Sequence, residues 1–399
     1  MLRFLESRPL PAPQIIHPRL KKISYIFGTR PEAIKLCPLI LLTKDRPNLE
    51  ANVCVTAQHR EMLDQVLAVF EITPDVDLNL MQHNQSLPQL TATAITAISS
   101  YLEERRPDLV VVQGDTTTTF CAGLAAFYHQ IPVAHVEAGL RTWNKAAPYP
   151  EEINRSLTTR LADYHFAPTE GAKANLLREG VLEESIFVTG NTVVDALHIA
   201  LQKARQQTSI PGLPLELMNG HRSKPLVLIT SHRRENFGPG FRSICQAIRL
   251  LAEQFSDTAF VYPVHLNPNV REPVFELLSG IENVFLLEPL GYLDFVALLD
   301  RAKFVLTDSG GIQEEAPSLN KPVLLMRTTT ERPEALAMGT ATLVGTEVDQ
   351  IVNGARKLLA KADGSSGPGV MANPFGDGMA SQRILEVISR KLLTESETA

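Results

Sequence analysis

Short runs of apolar residues, many of them β-branched, alternate along this chain with longer segments whose apolar positions recur every three or four residues. Continuous short runs suit strands buried on both faces, whereas the longer pattern suits helices with one apolar stripe. In the first half the runs predict strands at Ile23–Phe27, Val53–Thr56, Leu109–Gln113, Pro132–Val136, His165–Ala167 and Ile186–Val188. Glu61–Phe70 and Leu90–Glu104 read as amphipathic helices between them. The series then restarts with Leu226–Thr230, Phe260–Val264, Val284–Leu287, Phe304–Thr307, Val323–Met326 and Thr342–Val344. Regular strand–helix alternation predicts parallel sheets with helices on both faces.

Two such series predict an α/β protein of two doubly wound, Rossmann-like domains, and a chain of 399 residues is long enough for both. The boundaries read as an extension at 1–20, a first domain at 21–189, a second at 190–374 and a terminal helical segment at 375–399. The extension carries Pro9, Pro11, Pro13 and Pro18. Lys203–Lys224, with two prolines and two glycines, reads as a loop before the second domain, and Gly364–Gly369 as a surface loop. Ala380–Leu393 reads as the last helix.

Composition narrows the function classes. Hydrophobic residues make up 44% and charged residues 21% of the chain, as in ordinary globular proteins. A formal charge of −6 disfavours a nucleic-acid partner, which calls for a positive field. No apolar run reaches the length of a membrane span, so no membrane partner is expected. Cys37, Cys54, Cys121 and Cys245 are widely spaced in apolar surroundings, which suits buried reduced thiols and a cytoplasmic protein.

The chemistry concentrates where predicted strands end, the ligand-binding edge of open α/β sheets. After the first strand, Arg30 and Lys35 flank a helix start marked by Pro31, a place suited to a diphosphate or to plain surface charge. Asp115 and four threonines follow Leu109–Gln113, where a ligand-binding carboxylate and a helix cap are both open readings. Glu137 follows the next strand, and Glu151 and Arg155 stand at a pairing distance of four on a helix start. Crowded carboxylates raise one another's proton affinity, which equips a site with an acid and a base. In the second half His232 and two arginines follow Leu226–Thr230, with His265 a weaker counterpart after Val264. Ser309, Gly310 and Gly311 form a strand-to-helix turn fit for phosphate oxygens, and Glu315 lies about one turn further on. No dinucleotide fingerprint, Walker loop or metal-ligand spacing is present, so neither cofactor nor metal is expected.

These blocks together resemble a known family. GTRPEAIK (28–35), TAQHREMLDQVL (56–67), GDTTTT (114–119), HVEAGLRT (135–142), PEEINR (150–155), HRREN (232–236), VYPVHLNPNVREPV (261–274) and SGGIQEEAPSLNKPVL (309–324) are similar to the non-hydrolysing UDP-N-acetylglucosamine 2-epimerases. The resemblance runs from about Lys22 to the final helix. It implies a GT-B-like fold with a deep interdomain cleft, a homodimer, and interconversion of UDP-GlcNAc and UDP-ManNAc for surface polysaccharide synthesis. It implies elimination of UDP to a 2-acetamidoglucal, followed by its return. By resemblance Asp115, Glu137, Glu151 and His232 are catalytic. Arg30, Lys35, Ser309, Gly310 and Gly311 match phosphate contacts, Glu315 the ribose contact, Phe295 the uracil site, and Arg332 a further ligand contact. Arg155 belongs with the substrate-binding set. Gln58, Glu61, Asn84 and His265 match a second, activating substrate site in some members; Glu61 and Asn84 depart from the glutamine and arginine found there. A hydrolysing epimerase, a GT-B glycosyltransferase and a silent UDP-sugar sensor are the alternatives.

Overall fold

Parallel strands in two separate sheets organise the chain. The computed structural model describes residues 20–56, 60–80, 85–217, 224–361 and 372–394. The first half contains β1 (Lys21–Phe27), β2 (Leu49–Val55), β3 (Val76–Asp77), β4 (Leu109–Gln113), β5 (Val133–Val136), β6 (Tyr164–Ala167) and β7 (Ile186–Val188). Its helices are α1 (Arg30–Lys44), α2 (Arg60–Val69), α3 (Leu87–Arg105), α4 (Thr117–Tyr128), α5 (Glu151–Leu161), α6 (Glu170–Arg178) and α7 (Thr192–Ala204). The second half contains β8 (Leu226–Thr230), β9 (Ala259–Pro263), β10 (Val284–Leu287), β11 (Phe304–Thr307), β12 (Val323–Leu325) and β13 (Ala341–Leu343). With them run α8 (Pro239–Gln254), α9 (Pro268–Leu278), α10 (Tyr292–Arg301), α11 (Gly310–Glu315), α12 (Pro333–Ala337), α13 (Val348–Leu359) and α14 (Ala380–Thr394).

The strand orders are β3-β2-β1-β4-β5-β6-β7 and β10-β9-β8-β11-β12-β13. In each sheet the winding reverses once, between β1 and β4 and between β8 and β11. Such reversals open a crevice beyond the strand ends, because the flanking connections leave in opposite directions.

Ten apolar runs match strands to the residue or within one residue at each end, those of β4 to β13. The differences have local causes. β2 starts at Leu49, before the apolar run, because its Glu50 and Asn52 hydrogen-bond side chain to side chain at 2.8 Å and the strand pairs with β1 throughout. β3 is a two-residue strand, Val-Asp, too short for any periodicity to show. The loop before β8 is anchored: Ile210, Leu213 and Leu217 are buried in the main core. Gly364–Gly369 lies outside the described residues.

One apolar core runs through both sheets. It includes Leu36 and Ile40 of α1, Val194 and Leu197 of α7, Val296 and Leu299 of α10, and Ile384 and Ile388 of α14. α7 packs against both α1 and α10, and α14 packs back on α1 and α7. Asp195 secures that return by accepting hydrogen bonds from the backbone N–H groups of Ala380 (3.2 Å) and Ser381 (2.7 Å) at the start of α14. All four cysteines are free and buried. Among the described residues no helix is long and apolar enough to cross a membrane.

His135 and His165 stand opposite each other on β5 and β6, 1% and 2% exposed. Burial above all holds both imidazoles down at about 4. The unfolded chain therefore takes up two protons between pH 6.5 and 4 that the native state refuses, so stability is full above pH 6.5 and falls as pH drops. Each histidine should remove up to about 3 kcal/mol over that window. Urea unfolding at pH 4.5 and pH 7 checks this; His165→Gln should flatten the slope, and a pH-independent midpoint in the wild type contradicts it.

Candidate active site

The reversal point of the first sheet is tied together by Glu32. Its carboxylate accepts hydrogen bonds from the N–H groups of Gly28 (3.0 Å) and Thr29 (2.7 Å) and from the hydroxyls of Thr116 (2.7 Å) and Thr119 (3.1 Å). One buried acid thus fixes the turn after β1 to the turn after β4. Gly28 leaves no room for a side chain here, since a Cβ would sit 2.1 Å from the Thr56 hydroxyl. Arg30 begins α1 at this edge.

Asp308 plays the equivalent part in the second sheet. Fully buried, it accepts from the Ser231 hydroxyl (2.7 Å), the N–H groups of His232 (3.0 Å) and Arg233 (3.0 Å), and the Asn236 amide (3.1 Å). It fixes the turn after β8 to the turn after β11. The His232 ring, stacked on His265 with centroids 5.5 Å apart, is held below its ordinary range by burial, with His265 and Arg233 adding to the shift against Asp308.

The carboxylates nominated from sequence emerge beside the first reversal point. Asp115, just past β4, pairs with Arg155 at 2.7 Å, and Arg155 also pairs with Glu152 at 3.0 Å. The four-residue spacing had suggested Glu151 as its partner; Glu152 takes that place because it faces inward, where the Thr142 and Trp143 N–H groups also reach it. Glu151 keeps a buried Oε2 with no hydrogen-bond partner among the described residues.

Glu137, just past β5, has a left-handed backbone with φ of 64°. Its carboxylate accepts from Lys35 and, at 2.8 Å, from the Asn191 amide. Burial pushes its proton affinity up, but Lys35, Arg332 and Asn191 outweigh it and hold Glu137 below the ordinary range. Lys35 is thereby engaged with a carboxylate of its own chain.

The second sheet meets this cluster directly. Asn191 donates also to Glu314 at 2.9 Å, and Glu314 accepts from Arg332 at 2.7 Å. Ser309 precedes α11, and at Gly310 a Cβ would lie 2.9 Å from the Arg332 guanidinium, so only glycine lets that cation come so close. Gly311 follows, half-buried. Glu315 ends α11; burial and then Glu314 raise it to about 7, with Lys35 and Arg30 opposing. Arg30 is lowered by burial, opposed by Glu315 and Tyr292, which places α1 and α11 within electrostatic reach. Phe295 lies on α10, one turn beyond Tyr292, half-buried against the main core.

The structure therefore brings Arg30, Lys35, Glu137, Glu315 and Arg332 to one place, with Asp115, Arg155 and Glu151 along the same sheet edge. His232 stands at the opposite reversal point with His265 against it. Gln58 and Asn84 lie outside the described residues, and Glu61 is placed only as a position on α2. A hollow of about 710 Å³ lined by residues including Thr169, His198, Asn373 and Arg383 contains none of the nominated residues. Sequence reading passed over Glu32, Asn191, Asp308 and Glu314. The Thr29-x-x-Glu32 capping box was a readable signal for the first; the other three depend on distant partners.

Two doubly wound parallel sheets whose reversal points meet in this way define a GT-B-like α/β protein. A family model described as UDP-N-acetylglucosamine 2-epimerase matches residues 42–389. The Ralstonia solanacearum probable UDP-N-acetylglucosamine 2-epimerase is 53% identical over 370 residues, covering 92% of this chain and 99% of its own. The Escherichia coli K12 UDP-N-acetylglucosamine 2-epimerase is 52% identical over 377 residues, 94% of this chain and all of its own. The crystal structure of the Neisseria meningitidis UDP-GlcNAc 2-epimerase bound to UDP-GlcNAc is similar with a TM-score of 0.85 at 49% identity, covering 92% of this chain and 100% of that one. This chain belongs to the UDP-N-acetylglucosamine 2-epimerase family; as an epimerase it is an isomerase.

Replacing Asp308 with Ala strands several buried donors at once. The expected loss is about 3 kcal/mol of folding stability, read from urea midpoints. A change below about 0.5 kcal/mol would show that Asp308 does not secure the turn.

Proposed function

We propose that the chain interconverts UDP-N-acetylglucosamine and UDP-N-acetylmannosamine by inverting C2 of the sugar. The observation that carries this reading is the gathering of Glu137, Lys35, Glu314, Arg332 and Arg30 from both sheets, beside Asp115 and Glu151, in a family member.

The chemistry requires such a gathering. The C2 proton is not next to a carbonyl, so enolisation cannot acidify it. A base removes that proton, the C–H electron pair becomes the C1–C2 double bond, and the C1–O pair leaves with UDP. The result is a 2-acetamidoglucal. Delivery of a proton to the opposite face of C2 and return of the UDP oxygen to C1 give the epimer. The departure is anti and the return syn. Preorganised cations and helix starts stabilise the leaving diphosphate, the kind of contribution that often dominates catalysis.

In this reading Arg30, Arg332 and the Ser309–Gly311 turn hold the diphosphate, Glu315 the ribose and Phe295 the uracil. Asp115, Glu137 and Glu151 carry the proton transfers. Glu151 supports this with a buried Oε2 that no donor among the described residues engages. Lys35 keeps Glu137 ionised, and His232 meets the leaving group from the second sheet.

We further propose a homodimer, supported by Ile153 and Leu157, which α5 leaves exposed one turn apart, and by exposed Phe127 and Tyr128 at the end of the neighbouring α4. Cytoplasmic residence and a role in supplying precursors for surface polysaccharide fit the four free thiols and the product.

Turnover in D₂O tests the route. NMR should show deuterium at C2 of the nucleotide-linked sugars; unlabelled product, or stoichiometric free sugar and UDP, would overturn it. Asp115→Asn, Glu137→Gln and Glu151→Gln should each lower kcat by at least ~10²-fold, the scale of lost proton transfer. A near-wild-type rate removes that residue from the assignment.

A further inference from the structure

Asn191 precedes α7, where the chain passes from the first sheet to the second, and every hydrogen-bonding group it owns that the structure resolves is committed. Its Oδ1 accepts from the Val193 N–H at 3.2 Å, which caps α7 and fixes which end of the amide is which. Its Nδ2 then has one orientation, donating at 2.8 Å to Glu137 and at 2.9 Å to Glu314. Its own N–H donates to the carbonyl of Phe375 at 2.6 Å, in the segment that leads into α14.

We propose that Asn191 is a positioning residue for proton transfer: its one amide clasps Glu137 of the first sheet to Glu314 of the second, so that the nucleotide side of the cleft sets the placement and charge of a carboxylate on the sugar side. This rests on the reading of Glu137 as a proton-transfer group.

The two carboxylates repel each other and are both buried. An aspartate at 191 would offer them only oxygen, and a hydrophobic residue nothing. The amide is the side chain that donates twice while still accepting at the helix start. The other charged groups around Glu137 are Lys35 on α1, Arg332 ahead of α12, Glu314 on α11 and His135 on β5. Of these, Lys35 and Arg332 favour ionised Glu137, and Glu314 opposes it. The shared carboxylate contact makes Asn191 sensitive to both sets. Burial leaves Glu314 raised while Glu137 is lowered, so the clasped pair is split in proton affinity. Anything that draws Arg332 away from Glu314 alters that split, and Arg332 lies against Gly310 at the turn nominated for the diphosphate.

Asn191→Ser and Asn191→Asp separate this role from helix capping, because serine and aspartate both cap well. Two readouts are needed on the full-length protein. The first is the pH dependence of kcat and KM with UDP-GlcNAc. The second is titration of ¹³C-labelled glutamate carboxyls by NMR, with the Glu137 signal assigned from Glu137→Gln. Asn191→Ser should raise the Glu137 midpoint and the acid limb of kcat by about one pH unit, the equivalent of one charge-assisted hydrogen bond, with KM within ~3-fold. Asn191→Asp should raise both further. A Glu137 midpoint unmoved in both folded variants overturns the proposal, as does a kcat loss that is uniform across pH. If the wild type fails to epimerise UDP-GlcNAc, the functional reading falls, and the carboxyl titration still decides whether Asn191 governs Glu137.

Discussion

A buried carboxylate is tolerated only when donors surround it, and in this fold each such acid draws at least part of its donors from elsewhere in the chain. Glu32 takes its partners from the turns after β1 and β4, Asp308 from the turn after β8 and the neighbouring Asn236, and Glu137 and Glu314 from Lys35, Asn191 and Arg332. None of these acids can be satisfied until the strand ends are in place. Once satisfied, each converts a flexible turn into a fixed one. The geometry of the site follows from that requirement.

The same clamps explain how both reversal points keep their shape. Parallel winding opens a crevice at each, but an open crevice has mobile rims. Glu32 and Asp308 stiffen the rims without occupying the cleft, which leaves Arg30, Asp115, His232 and Ser309 at the edges. The apolar core shared through α7 then keeps the two edges in register. Electrostatic stabilisation of any charge in such a crevice depends on fixed placement, since charges that must reorganise contribute far less.

Much of the fold was legible because parallel strands buried on both faces announce themselves as continuous apolar runs. β4 and β8, wholly or nearly wholly buried, were read to the residue. β2 was read short because its first half alternates with polar residues, and β3 was invisible at two residues. Arg30, Asp115, Glu137 and Ser309 are nominated by their position at strand ends, and the structure places them just past β1, β4, β5 and β11. Asn191, Asp308 and Glu314 were not legible in this way, since their importance lies in partners between 54 and 123 residues away or on another strand. Glu314 and Glu315 are neighbours in sequence, and only the tertiary setting of α11 tells the bridging acid from the one raised to about 7. Arg155 shows the same limit: local spacing offered Glu151, whereas the guanidinium pairs with Glu152 and with Asp115, 40 residues back.

What unites these features is the claim that two sheets converge on one ligand. A crystal structure of the protein with UDP-GlcNAc bound is its most direct test. The diphosphate should lie between Arg30 and the Ser309–Gly311 turn, with the sugar among Asp115, Glu137 and Glu151. A nucleotide held by one sheet alone, with those carboxylates remote from C2, would contradict it.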